Sequence, residues 1–167
     1  MQKDKGVEDA TGIVIYVYVD HEKGLCYEEL ALANFNATSR QLKFVPLVDA
    51  VVQGQLATFK DCQSFILPSG LPIYSNYLAQ VDAIKQRCVV SENVEQTRRV
   101  ANLDGCRAWD NPDVVLVHLV HEETIETCYV LLEGIQKMFF YGVLLQEPQN
   151  DFGVHLGNII NFYNVKN

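Results

Sequence analysis

Five cysteines and four histidines carry most of the chemistry open to this chain. A cysteine nucleophile needs a base to make thiolate, and that base needs a partner to orient it. His121, followed by Glu122 and Glu123, offers both within three residues, and Cys106 is the cysteine that could fold beside it. Cys106, His121 and Glu123 therefore form the candidate catalytic set. His118 and His121 fall on opposite faces if both belong to a strand. No further His or Cys stands at ligand spacing, so no metal site is expected.

A second set is Asp20, His21, Gly24 and Cys26, which follows an unbroken apolar run and leads into an expected helix. A helix N-terminus lowers a thiol's pKa and favours anions, which makes this loop a candidate binding site. Ser69 and Gly70, in Leu67-Pro-Ser-Gly-Leu-Pro72, could offer backbone N–H groups to an oxyanion or carboxylate. Neither loop carries G-x-G-x-x-G or G-x-x-x-x-G-K-[ST], so no cofactor is expected.

The stretch Val51 to Gly70, with Gly54, Leu56, Phe59 and Phe65-Ile-Leu-Pro-Ser-Gly70, resembles part of the class I glutamine-amidotransferase-like superfamily. The resemblance implies a strand ending in a Pro-Gly-Gly-like turn and a later strand bearing a nucleophilic Cys in a tight elbow. Cys106 in Leu103-Asp-Gly-Cys-Arg-Ala108 would be that nucleophile, and His121 with Glu123 would match the family's His-x-Glu pair.

Positioning these residues falls to the elements between them. Ile13-Val-Ile-Tyr-Val-Tyr-Val19 reads as a strand buried on both faces, the kind found in parallel sheets. Strong helix formers over Tyr27–Phe35 predict a helix. Leu42–Val48 reads as an edge or bulged strand because Pro46 removes a ladder donor. A short helix from Asp49 through Phe59 and strands over Cys62–Pro68 and Cys88–Val90 follow. Ile73, Tyr77, Val81 and Ile84 predict an amphipathic helix over 73–87. Ser91, with Glu92 and Glu95, caps the next helix. After the loop Trp109-Asp-Asn-Pro112, the segment from Asp113 to Val120 reads as a second buried strand. Ile125, Cys128, Leu132, Ile135 and Phe139 predict a helix over 122–141 with Gly142 as its C′ residue. The turn-rich 146–151 separates two apolar segments that suggest a strand pair.

Strand and helix alternation predicts an α/β fold of three layers, a mainly parallel sheet flanked by helices, with a C-terminal strand pair or hairpin. Residues 1–11 read as a flexible lead-in and 12–167 as a single α/β domain. A net charge of −8 disfavours nucleic acid, and the one basic doublet is Arg98-Arg99. Widely spaced, odd-numbered cysteines argue against a disulfide framework. No apolar run is long enough to span a membrane and the N-terminus has no apolar signal core, so a cytoplasmic location is expected. With no complete catalytic motif, the leading expectation is a non-catalytic binding or protein-interaction module. Its partner would be another protein or a second copy, paired through aromatics of the C-terminal edge. The alternatives are a Cys106-dependent hydrolase or amidotransferase-like enzyme, and a small-molecule sensor at the 20–26 and 68–72 loops.

Overall fold

The computed structural model describes residues 10–36, 38–39, 41–47, 52–64, 66–67 and 75–163. It divides into two compact units, Met1–Tyr18 with Leu25–Cys88, and Val19–Gly24 with Val89–Asn167. Each contains one four-stranded sheet, and every pairing whose direction is defined is antiparallel.

In the first unit, β1 (Gly12–Asp20), β2 (Gly24–Asn36) and β3 (Gln41–Pro46) lie in that order. Pro46 is the last residue of β3, where a missing N–H costs the ladder least. The short β4 (Gln53–Gln55) pairs with the start of β2, opposite Cys26, Tyr27 and Glu28, while β3 pairs with its end. Gly54 lies beneath the Tyr27 ring, which meets Phe59 edge-on at 4.7 Å. A 3₁₀-helix, Leu56–Phe59, follows β4, and α1 (Leu78–Arg87) buries Val81 and Ile84 completely. Glu28 is buried too. Its carboxylate accepts from Gln80 Nε2 at 3.0 Å and Arg87 Nη2 at 2.5 Å, so the charge is paired rather than stranded.

The second unit begins with α2 (Glu92–Arg98), whose N-cap is Ser91; its Oγ accepts from the Val94 N–H at 3.2 Å. A 3₁₀-helix, Ala101–Cys106, leads to β5 (Val114–His121), β6 (Thr124–Gln136), β7 (Phe139–Leu144) and β8 (Ile159–Phe162), which pair in sequence order. One face of this sheet is core: Val115, Cys128, Val130, Leu132, Phe140, Leu144 and Ile160 pack with Leu103. Burial pushes the Cys128 thiol pKa up, as expected of a small core residue rather than a nucleophile. No described helix is long and apolar enough to cross a membrane.

The expectation of a three-layer, mainly parallel α/β fold is therefore overturned. Tyr27–Phe35 lies within strand β2, and 122–141 contains β6, a turn at Lys137-Met138 and the first half of β7. In both places an apolar-rich stretch satisfies a period of two as well as one of 3.6. Cys128, Val130 and Leu132 point to the core while Thr127 and Tyr129 point away. Long-range pairing then decides over helix propensity. The runs in β1 and β5 are half-buried in the end strands of their sheets rather than buried on both faces. Residues 62–64, 66–67 and 88–90 form no strand, and 52–59 holds β4 and a 3₁₀ turn instead of a helix. Asp49, Phe65, Ser69, Gly70 and Ile73 lie outside the described residues, as does most of the 1–11 lead-in.

Candidate functional site

The segment Arg107-Ala-Trp-Asp-Asn-Pro-Asp113 joins the second 3₁₀-helix to β5 and is anchored by hydrogen bonds at both ends. Arg107 donates from Nε to Asp104 at 3.0 Å, from Nη2 to the Thr97 carbonyl at 2.7 Å, and from Nη1 to the Pro112 carbonyl. The Ala108 N–H donates to Val114 O at 2.8 Å, and Asn111 Oδ1 accepts from the Asp113 N–H at 3.0 Å.

Asp113 anchors the loop's end. Its carboxylate is 0 % exposed, yet it receives the Arg98 guanidinium as a fork, Nε to Oδ1 at 2.8 Å and Nη2 to Oδ2 at 2.6 Å. His21 Nδ1 adds a third bond to Oδ2 at 2.9 Å. Burial on its own would push the carboxyl pKa up, but the hydrogen bonds from Arg98 and His21 outweigh it and hold it below the ordinary value. His21 Nε2 lies 3.6 Å from Glu133 Oε1, is buried, and makes no hydrogen bond. Among the described residues, no serine, threonine or cysteine is therefore hydrogen-bonded to that nitrogen, as a nucleophile activated by this imidazole would be.

Held from below, the loop presents Trp109 at its crest, 71 % exposed. Trp109 lines an open groove of about 540 Å³ with Leu116, Tyr129, Leu145, Asn111 and Gln146. Leu116 and Tyr129 are cross-strand partners on the solvent face of the sheet. Leu145 extends that face through its N–H to Tyr129 O, and Gln146 bonds both Tyr129 N and Thr127 O. Beyond them, the loop between β7 and β8 is fastened by two carboxylates. Glu126 accepts from the Gln149 and Asn150 N–H groups, and Glu147 accepts from the Leu156 N–H and His155. These bonds lower the pKa of both acids, and the Glu147 bond raises that of His155.

The residues singled out from sequence are dispersed. Cys106 ends the second 3₁₀-helix and packs against the core beside the start of β5, where Arg107 bridges Val115. His121 lies six residues farther along that strand, roughly 20 Å away at the usual rise, and Glu123 sits exposed in the following turn. An extended strand holds the proposed nucleophile and base apart, and Cys106 occupies no strand-end elbow. The Cys106–His121–Glu123 set is not brought together.

The 20–26 loop leads into strand β2, not a helix, so the helix-terminus argument for Cys26 as a thiolate falls; Cys26 is buried in the first unit. Asp20 caps its own turn, accepting from Glu22 and Lys23 N–H groups. His21 does join a polar network, with Arg98, Asp113 and Glu133, none of which the sequence offered as a site residue. Gly24 serves packing: its φ is +84°, and a Cβ there would lie 2.8 Å from Asn111 Cβ and closer still to the Asp110 carbonyl. Gly24→Ala is expected to cost about 1–2 kcal/mol for the left-handed backbone and about 1–3 kcal/mol for overpacking against the Trp109 loop. A urea midpoint equal to the parent's would contradict this. Ser69 and Gly70 lie outside the described residues. Among the described residues, no group of three or more His, Cys, Asp or Glu side chains could hold a metal ion.

No family model, curated protein or solved structure matches the chain.

Proposed function

We propose that the chain is a non-catalytic protein-binding module that seats an apolar side chain of its partner in the Trp109 groove. The observation carrying this reading is a lone tryptophan held out in solvent by a loop that Arg107 and Asp113 anchor at its two ends. Exposing so large an apolar side chain on a fixed loop is costly unless something covers it, and Trp and Tyr are the commonest anchors of protein interfaces. The open shape favours a protein over a small molecule, because small-molecule pockets enclose most of their ligand's surface, whereas Trp109, Leu116, Tyr129 and Leu145 are all exposed.

Trp109 is the only tryptophan, so its emission reports on the groove directly. Selection of a random-peptide display library on the full chain is expected to return peptides with an aromatic or branched aliphatic anchor that shift this emission on titration. Trp109→Ala is expected to weaken their binding about thirtyfold or more, the scale of a hot-spot residue near 2 kcal/mol, with the urea midpoint unchanged. Selected peptides that bind Trp109→Ala as tightly as the parent, or none that move the emission, would overturn the reading.

A further inference from the structure

We infer that the open edge of β5 takes up an extended segment of the partner protein as an added strand, one whose alternating apolar residues lie between basic ends. This rests on the protein-binding reading and names the kind of partner.

The sheet order places β5 at an edge. Among the described residues, the far side of this strand is paired only at its start, through the Arg107–Val115 bridge and the Ala108 N–H to Val114 O. From Leu116 to His121 no described strand covers it, an open stretch of roughly 20 Å. Edge strands normally carry protection: a lysine, a proline, a bulge or short length. In this protein β3 ends in Pro46 and β8 is four residues long. Val114-Val-Leu-Val-His-Leu-Val-His121 has no lysine, no proline and no acid, and its register with β6 runs unbroken from Val114–Leu131 to His121–Thr124. It is a template for backbone pairing, as in other peptide-binding sheet edges.

The solvent face beside this edge carries two exposed apolar pairs, one of them in the groove, separated by the hydrogen-bonded pair His118 and Thr127 at 2.9 Å. Leu116 and Tyr129 form one exposed cross-strand pair, and Val120 and Ile125 another. An added strand would place alternate side chains along this stripe, with one reaching Trp109.

Charge selects the partner. Exposed Asp110 stands near one end of the open edge, and exposed Glu122 and Glu123 stand at the other. The guanidinium lining the groove, Arg107, is committed to Asp104 and two carbonyls. A second copy pairing antiparallel with β5 would set its Glu122 and Glu123 against the Asp110 end, opposing like charges in a chain of net charge −8. A segment with lysine or arginine at both ends meets complementary charge instead.

The probe is a synthetic peptide of alternating valine and threonine with two lysines at each end, compared with its glutamate-ended counterpart and with a version N-methylated at alternate backbone nitrogens. With the full chain, the lysine-ended peptide is expected to shift Trp109 emission and to slow exchange of the Leu116–His121 amides that point away from β6. The glutamate-ended and N-methylated peptides are expected to bind about tenfold more weakly or worse, and Val120→Lys, at an exposed position, to weaken the lysine-ended peptide similarly. An emission shift without amide protection would overturn the added strand while leaving the groove reading intact. Equal affinity for both charged peptides would overturn the charge assignment. Protection of the same amides that grows with protein concentration in the absence of peptide would replace the partner with a second copy.

Discussion

Asp113→Ala is expected to destabilise the second unit by about 3–5 kcal/mol, the range for breaking a buried ion pair by removing one partner. The size follows from what stays behind. The Arg98 side chain is only about one-fifth exposed and directs its Nε and Nη2 at the missing carboxylate, and His21 Nδ1 loses its acceptor. Glu28 offers the contrast in the first unit: its partner Arg87 is half exposed, so removing the acid leaves a guanidinium that water can reach, and a smaller loss is expected.

Acid should expose the same dependence. The folded-state pKa of Asp113 lies below its unfolded value near 3.9. Its contribution is therefore fully present above the unfolded pKa and is lost as pH falls through the folded one. Urea unfolding followed by circular dichroism should show parent and Asp113→Ala far apart at neutral pH, converging below about pH 4. A constant gap across that range would mean the carboxylate is not the source.

What the sequence made legible was local. The cap at Ser91, the buried spacing of Val81 and Ile84, the strand at β5 and the edge position that Pro46 implies each depend on residues within one turn or one strand. The helices expected over Tyr27–Phe35 and 122–141 failed for a shared reason. When most positions are apolar, periodicity cannot separate a helix from a half-buried strand, and the pairing that decides comes from far along the chain. Cys128 meets Val117, and Leu131 meets both Val114 and Val143. Gly134 and Gly142, within and just beyond a supposed helix, were the available warning, since glycine is unfavourable there and common where strands bulge or approach closely. Indeed the register shifts between Leu132 and Gly134.

The site was legible in fragments. Asp20–Gly24 was singled out as a loop at a strand end, and His21 does enter a buried network. Its partners at 98, 113 and 133 have no sequence spacing that ties them together. Trp109 was visible as the lone tryptophan in a turn-rich Trp-Asp-Asn-Pro segment. Nothing local said that Arg107 and Asp113 would fasten that segment from below and leave the indole outside. Cys106 and His121 show the converse: a chemically sensible pair in sequence separated by the strand that runs between them.

Leu132→Ala is expected to cost at least as much as the loss of Asp113, about 4–5 kcal/mol, the upper part of the range for a buried leucine. Where in that range a site falls depends on whether its surroundings collapse into the space left behind. Leu132 is 0 % exposed and pairs across the ladder with Gly142, which has no side chain to move inward. Gly142 cannot be enlarged in compensation either, since a Cβ there would lie 2.7 Å from Val130 Cγ1 and nearer still to the Leu131 carbonyl. The Leu132 N–H is held by Asp113 O at 2.8 Å, which fixes the backbone around the hole and couples the core to the loop carrying Trp109. Leu132→Ala should therefore lower the urea midpoint at unchanged m-value and speed exchange of the Asp113 and Val114 amides. Leu132→Met, which conserves volume, should cost less than about 1.5 kcal/mol. Equal losses for alanine and methionine would show that shape at this position, rather than the cavity, controls the stability of the sheet.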